Sequence, residues 1–372
     1  MTNLVLYRKY RPQRFCEFIG QEHIVKTLTN AISSGMISHA YLFSGPRGTG
    51  KTTIARLLAK AVNCENKKEG EFEPCNKCIS CKEITTGNAI DLIEIDAASH
   101  RGIDDVRELR DGIKFAPTKS KYKVFIIDEC HQLSKDAANA LLKTLEEPPS
   151  HAVFVLATTE AHKMIPTIIS RCQRFDFRKL RAEEIIEKLK RIARAEGVKI
   201  DKAALELIAL YSSGSIRDGE SLLDQIFTFA GDFKREIRAE DIKNLLGLVE
   251  TELLGQFIDL ILEKNASQAI NFLQNEVSEK GLDLQEFARA LINYLRQGLI
   301  LKLTGTGEGK NPIITGLTKE ELEKLKKQVD AFKTTELEKA INLFLEAQAK
   351  MKYSPIPQLS LELAIIECTS EA

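Results

Sequence analysis

Eight consecutive residues, Gly45-Pro46-Arg47-Gly48-Thr49-Gly50-Lys51-Thr52, satisfy the pattern G-x-x-x-x-G-K-[ST] in full. Glycines at these positions let the backbone wrap closely, so that its N–H groups and the start of a following helix point at phosphate oxygens. Lys51 adds a positive charge toward the outer phosphates, the Thr52 hydroxyl is placed to ligate Mg²⁺, and Thr53 joins the loop residues expected to bind the nucleotide. A second motif, the apolar run Val124-Phe125-Ile126-Ile127, ends in the adjacent carboxylates Asp128 and Glu129. Asp128 belongs beside the metal, and Glu129 is left free to orient or deprotonate water. Either motif alone could be a chance turn or the start of a loop. Together they point to Mg²⁺-dependent ATP hydrolysis.

The cysteines form a second constellation. Of eight, Cys64, Cys75, Cys78 and Cys81 fall in one short segment, while Cys16, Cys130, Cys172 and Cys368 are scattered. Closely spaced thiolates grip one face of a tetrahedral ion, and a fourth from a nearby loop completes the set. The intervening residues are charged and poor in core material, so a metal would substitute for a hydrophobic core. Four sulfurs with no open ligand position favour structural zinc, with an iron–sulfur cluster as the competitor. Cys130 and Cys172 adjoin the other motifs and read as small buried residues.

These groups need elements to hold them. Ala40–Ser44 is a buried strand candidate feeding the glycine-rich turn, and Asp91–Ile95, Lys123–Asp128 and Ala152–Thr158 are three more. Helical stretches separate them, notably 136–147, which Pro148 and Pro149 stop. Strands alternating with helices imply a parallel sheet covered on both faces. Beyond about Leu180 the apolar spacing is helical throughout, as in Ile185, Leu189 and Ile192. The expected architecture is an α/β domain over 1–179 with the cysteine module inserted at about 64–81, a small helical lid over 180–243, and a helical domain over 244–372.

Composition sets limits on partners. In 372 residues, 43% are hydrophobic and 28% charged, as in ordinary globular chains. Lys plus Arg and Asp plus Glu both number 53, so bulk charge does not attract nucleic acid, although a local basic stripe can. No run is long and apolar enough to span a bilayer, and the basic N-terminus lacks the apolar core of a signal peptide. A cytoplasmic protein is the expectation.

The order of motifs resembles one family closely. YRKYRPQRFCEFIGQ, the glycine-rich loop, DECHQLS, NALLKTLEEPP, FVLATTE, SRCQRF and GSIRDGESLLDQ follow one another as in the gamma/tau subunits of bacterial DNA polymerase III, which are AAA+ ATPases. The resemblance runs from about Leu4 to at least Gln225 and more weakly through PQLSLELAIIE. It implies Thr159 as a polar sensor of the γ-phosphate, Arg171 as an arginine finger reaching a neighbouring subunit's ATP, and Arg217 as a second sensor acting in cis. It also implies that Tyr10, Arg11 and Ile19 line the adenine side. A permanently charged, planar guanidinium suits the charge that phosphoryl transfer spreads over the γ oxygens. A zinc module after the P-loop helix is likewise characteristic of these subunits, and the intact P-loop separates the chain from delta-prime-like ones.

The same resemblance implies a clamp loader that opens a ring-shaped beta clamp and places it on primed DNA, contributing no polymerase active site to the holoenzyme. Arg101, Arg107 and Lys143 fall where the DNA backbone would lie, each with one charge suited to phosphate. His100 stands where similar proteins often carry arginine. The implied partners are delta- and delta-prime-like subunits, further copies of the chain, the clamp, primed DNA and the single-strand-binding protein machinery. The tetrad Asp128-Glu129-Cys130-His131 leaves a helicase-like DNA translocase as the alternative, although nothing after Leu180 resembles the second motor domain it would need.

Overall fold

The computed structural model describes residues 4–99, 112, 113, 115–231, 235–247, 249–279, 281–304 and 319–370. They form two compact units, 1–237 and 238–372. The first is built on a five-stranded sheet with strands β1 (Ala40–Ser44), β2 (Leu92–Asp96), β3 (Lys123–Asp128), β4 (Ala152–Thr158) and β5 (Gln173–Asp176). Their order is β2-β3-β4-β1-β5 and all pairings are parallel.

Strand alternation explains why both faces are covered. Tyr41, Phe43, Val124, Ile126, Val153 and Val155 pack on one face with Ile24, Ile54 and Leu58. Their neighbours Leu42, Phe125, Ile127, Phe154 and Leu156 pack on the other with Leu141, Leu145 and Ile168. Successive side chains of a strand point to opposite faces, so an unbroken apolar run fills two layers at once. The layers are helices, α2 (Glu22–Ser33), α3 (Lys51–Val62), α4 (Ile79–Thr86), α5 (Lys135–Glu146) and α6 (Pro166–Ile169) in chain order, after a short α1 (Leu6–Lys9) that packs away from the sheet.

Two details depart from the sequence reading. β2 runs over Leu92–Asp96 rather than Asp91–Ile95; the Asp91 carbonyl accepts the Val124 amide at 2.8 Å, while its carboxylate accepts the amide hydrogens of Thr118, Lys119 and Ser120 at 2.7, 2.9 and 2.8 Å. β5 was not foreseen: its residues are exposed apart from Phe175, so it lacks the apolar run that betrays a central strand.

Helices α7 (Ala182–Ala195), α8 (Lys202–Tyr211) and α9 (Ile216–Ala230) complete the first unit. Glu184, in the first turn of α7, is gripped by Arg178 at 2.6 Å, and this guanidinium holds the carboxyl down at about 2. Gln21, at the start of α2, donates to the Arg178 carbonyl at 2.7 Å and accepts from its amide at 3.1 Å. The second unit is helical among the described residues, with Phe257, Phe287, Leu291, Leu337 and Phe344 at its core. The Phe257 and Phe287 rings meet edge to face at 5.3 Å. Among the described residues, no helix is long and apolar enough to cross a membrane.

Candidate active site

β1 and β3 flank β4, and neighbouring strands lie about 4.8 Å apart, so their ends are about 10 Å from each other. The turn after β1 bridges that gap. Gly50, at φ +98°, starts α3 in a left-handed conformation, and a β-carbon there would lie 2.3 Å from the Phe18 ring. Gly48, at φ +74°, gives its carbonyl to the Ile216 amide at 3.1 Å, and a β-carbon there would overlap the Ser215 hydroxyl at 1.9 Å. The turn is therefore pressed between the N-terminal segment and the start of α9, where only glycine fits.

Thr52 donates its hydroxyl hydrogen to Asp128 Oδ2 at 2.7 Å, which brings together the last residue of one motif and the first carboxylate of the other. A hydroxyl and a carboxylate are hard oxygen donors, and they fit a magnesium ion. Lys51 is 6% exposed, and its ammonium donates to the Gly45 and Pro46 carbonyls at 2.7 and 2.9 Å. Burial lowers its pKa, and the nearby carboxylates Glu129 and Asp128 oppose that. Arg47–Thr53, Asp128 and Glu129 thus form the polar end of a cleft open to solvent.

The other end is lined by Tyr7, Arg11, Pro12, Phe18, Ile19, Leu180 and Lys188, an apolar and cationic mixture suited to a flat heterocycle. Arg217 enters from the first turn of α9 and stacks 4.9 Å over the Tyr7 ring. One turn later on α9 stands Glu220, which sequence reading missed although it lies three residues beyond Arg217 on the same helical face. Glu220 is only 5% exposed. Burial raises its pKa to about 7, with Lys188 and Arg11 partly offsetting that.

This carboxyl makes stability depend on pH. The unfolded chain releases the proton near 4.5 and the folded chain near 7, so stability falls as pH rises through that window. At 1.36 kcal/mol per pH unit between the two values, the full cost above neutrality is about 3 kcal/mol. Glu220→Gln is therefore expected to raise the thermal midpoint by several degrees at pH 8 and to leave it unchanged near pH 4.5. Equal effects at the two pH values would refute this account.

Several other residues singled out from the sequence lie away from this cleft. Thr159 is not among the residues that line the cleft; its hydroxyl donates to Glu129 Oε2 at 2.8 Å and its amide to the same oxygen at 3.3 Å. His131, 4% exposed, lies 3.5 Å from that oxygen and 3.0 Å from the Thr158 hydroxyl. Arg171 is outside the cleft too, donating to the Thr167 carbonyl and paired with Glu146. Tyr10 turns away, its hydroxyl donating to Glu196, while its carbonyl accepts from Lys188 at 3.0 Å. Lys143 is exposed on α5, and Arg101 and Arg107 lie outside the described residues.

The cysteine module is assembled as its spacing implies. The four sulfurs of Cys64, Cys75, Cys78 and Cys81 lie within 4.8 Å of one another. Zinc–sulfur bonds of about 2.3 Å to tetrahedral corners require sulfurs about 3.8 Å apart, so the set fits. Backbone amides reinforce it: Lys77 and Cys78 donate to the Cys75 sulfur at 3.4 and 3.3 Å, and Cys81 donates to the Cys78 sulfur at 3.4 Å. Burial opposes ionisation of Cys75, yet those amides outweigh it and bring the thiol down to about 6. Burial pushes Cys64 and Cys81 up. A central cation would relieve that cost for every sulfur.

Comparison with known proteins then decides the kinship. Three family models match in succession: "DNA polymerase III, delta subunit" over residues 20–181, "DNA polymerase III clamp loader subunit, ATPase lid domain" over 184–232, and "DNA polymerase III subunits gamma and tau domain III" over 237–372. The DNA polymerase III subunit gamma of Buchnera aphidicola is 37% identical over 370 residues, covering 100% of this chain and 99% of that one. The chain belongs to the gamma/tau family of DNA polymerase III subunits. Among its gamma/tau relatives, the tau subunit of Bacillus subtilis is 44% identical over 99% of this chain, and that of Escherichia coli 36% over 98%. The chain spans 63% and 55% of the lengths of those two tau subunits.

Proposed function

We propose that this gamma/tau chain is the ATPase motor of a clamp loader, hydrolysing ATP with Mg²⁺ to load a sliding clamp onto primed DNA. The observation that carries the reading is the convergence of Lys51, Thr52, Asp128, Glu129 and Arg217 on one cleft. Lys51 and the backbone of the turn hold the outer phosphates. Thr52 and Asp128 are the residues that would hold Mg²⁺, which when bound neutralises charge on the phosphate oxygens. Glu129 orients and deprotonates the attacking water, and Thr159, bonded to it, fixes its carboxylate at the end of β4. Arg217 acts on the same chain's nucleotide.

Arg171 has no place at its own chain's cleft, which supports a role on a neighbour's ATP in an assembly with five AAA+ positions. That assembly would combine copies of this chain with delta- and delta-prime-like subunits in the cytoplasm. The proposed division of labour is an ATPase domain over 1–179, a lid over 180–243 and an oligomerising collar over 244–372. Zinc is the ion proposed for the cysteine module. Arg101, Arg107 and Lys143 are the proposed contacts to the DNA backbone.

Steady-state ATP hydrolysis by the reconstituted complex, on primed template against single strands of equal length, tests the reading. Stimulation is expected to require both the clamp and the primer junction and to fall by roughly 10³-fold in Arg171→Ala, as for other arginine fingers. Stimulation by single strands alone, without partners or clamp, would point to a translocase instead.

A further inference from the structure

Glu73 and Asn76 belong to the cysteine module, yet their side chains are spent on a distant stretch of chain. The Glu73 carboxylate accepts the Phe15 amide at 3.0 Å on one oxygen and the Cys16 amide at 2.8 Å on the other. These amides open the short helical turn Phe15–Glu17, and such first N–H groups have no partner within the turn. Asn76, held at φ +57° between two of the cysteines, donates to the Gln13 carbonyl at 3.1 Å. Lys60 of α3 and Thr85 of α4 both donate to the Gln13 side-chain oxygen, at 2.8 and 3.2 Å. Gln13, Phe15 and Cys16 lead directly into Glu17, Phe18 and Ile19, which line the cleft. Phe18 is also the ring pressed on Gly50.

We propose that the cysteine module is a strut for the base side of the nucleotide cleft, with Glu73 and Asn76 as the positioning residues. The inference rests on the nucleotide reading of the cleft given above. The apolar cluster of this segment consists of the cysteines themselves, so tying the four sulfurs together is what chiefly holds Glu73 in place. Tying them fixes Glu73, the two amides fix the turn, and the turn places Phe18 and Ile19. Loosening any link blurs first the wall they form, because the glycine-rich loop keeps its own ties, Lys51 on the Gly45 and Pro46 carbonyls and the Ile216 amide on the Gly48 carbonyl. Affinity for the nucleoside part then falls and affinity for the polyphosphate part does not.

Titration of the full-length chain with ATP and, separately, with inorganic tripolyphosphate tests this, alongside metal content and thermal midpoint. Glu73→Ala is expected to bind ATP about tenfold more weakly, the loss of a charge-assisted hydrogen bond, with tripolyphosphate affinity and metal content unchanged. Glu73→Gln, which keeps one acceptor, should recover part of that loss. Asn76→Gly keeps the left-handed backbone while deleting the donor, and is expected to act in the same direction if Glu73→Ala does not fold. Removing the metal from the unaltered chain should weaken ATP and should add little in Glu73→Ala. Unchanged ATP affinity in both alanine and glycine variants would overturn the strut. Equal weakening of ATP and tripolyphosphate would overturn it too, by revealing a general loss of structure. An unaltered chain that binds tripolyphosphate but no ATP would instead remove the nucleotide reading itself.

Discussion

Glu129→Gln is expected to lower the rate of ATP hydrolysis by roughly 10²–10⁴-fold, the span commanded by loss of a general base, while ATP still binds. The variant is nearly isosteric, and its amide oxygen can still accept the Thr159 hydroxyl, so the end of β4 has no reason to rearrange. What it cannot do is take a proton from water. Glu129 lines the cleft at φ +47°, an uncommon backbone for a residue with a side chain, and its carboxylate is held by Thr159 and His131 from behind the lining. Single-turnover hydrolysis together with equilibrium ATP binding separates the outcomes. Lost turnover with retained binding supports the base. Undiminished turnover would place the activation of water elsewhere, and lost binding would mean that Glu129 shapes the site rather than the chemistry.

Cys81→Ser is expected to have the next largest effect, on structure rather than chemistry. Cys81 is fully buried at the start of α4, and its sulfur completes the set of four. A serine hydroxyl is a hard donor and a poor replacement for a thiolate at a thiophilic ion. Structural zinc contributes about 10–16 kcal/mol in small zinc-finger peptides, comparable to the whole stability of a typical domain. The segment from Cys64 to Cys81 has almost no apolar core besides its sulfurs, so it should lose its fold first. Metal analysis should find less than one equivalent, and limited proteolysis should cut within that segment. A variant with no metal and undiminished protease resistance would show that packing alone holds the module. Finding iron and acid-labile sulfide in the unaltered chain would replace zinc with a cluster.

The cleft also shows where a local pattern stops being informative. The family resemblance implies Thr159 as a sensor of the γ-phosphate, and the residue directly follows β4, the strand paired with β1. Only the packed structure shows that its hydroxyl already has Glu129 as a partner. Tyr10 and Arg11 are adjacent in sequence, yet one turns to Glu196 and the other lines the cleft. Adjacent side chains leave the backbone in different directions, so neither composition nor spacing decides which one faces the ligand.

What the sequence determined by itself is local: the strand–turn–helix built to cradle phosphate, the acidic end of β3, the four clustered cysteines, and the alternation of strands and helices that requires a parallel sheet. Each is written in contiguous residues whose backbone geometry or period has few solutions. What the tertiary structure alone decided is long-range. It brought Lys188 and Glu220 to the far end of the cleft, paired Arg171 with Glu146, and added the edge strand β5. It also joined Glu73 to Phe15, 58 residues away. Those pairings are selected by burial and hydrogen-bond satisfaction when distant segments pack, and no pattern in either segment alone records its partner.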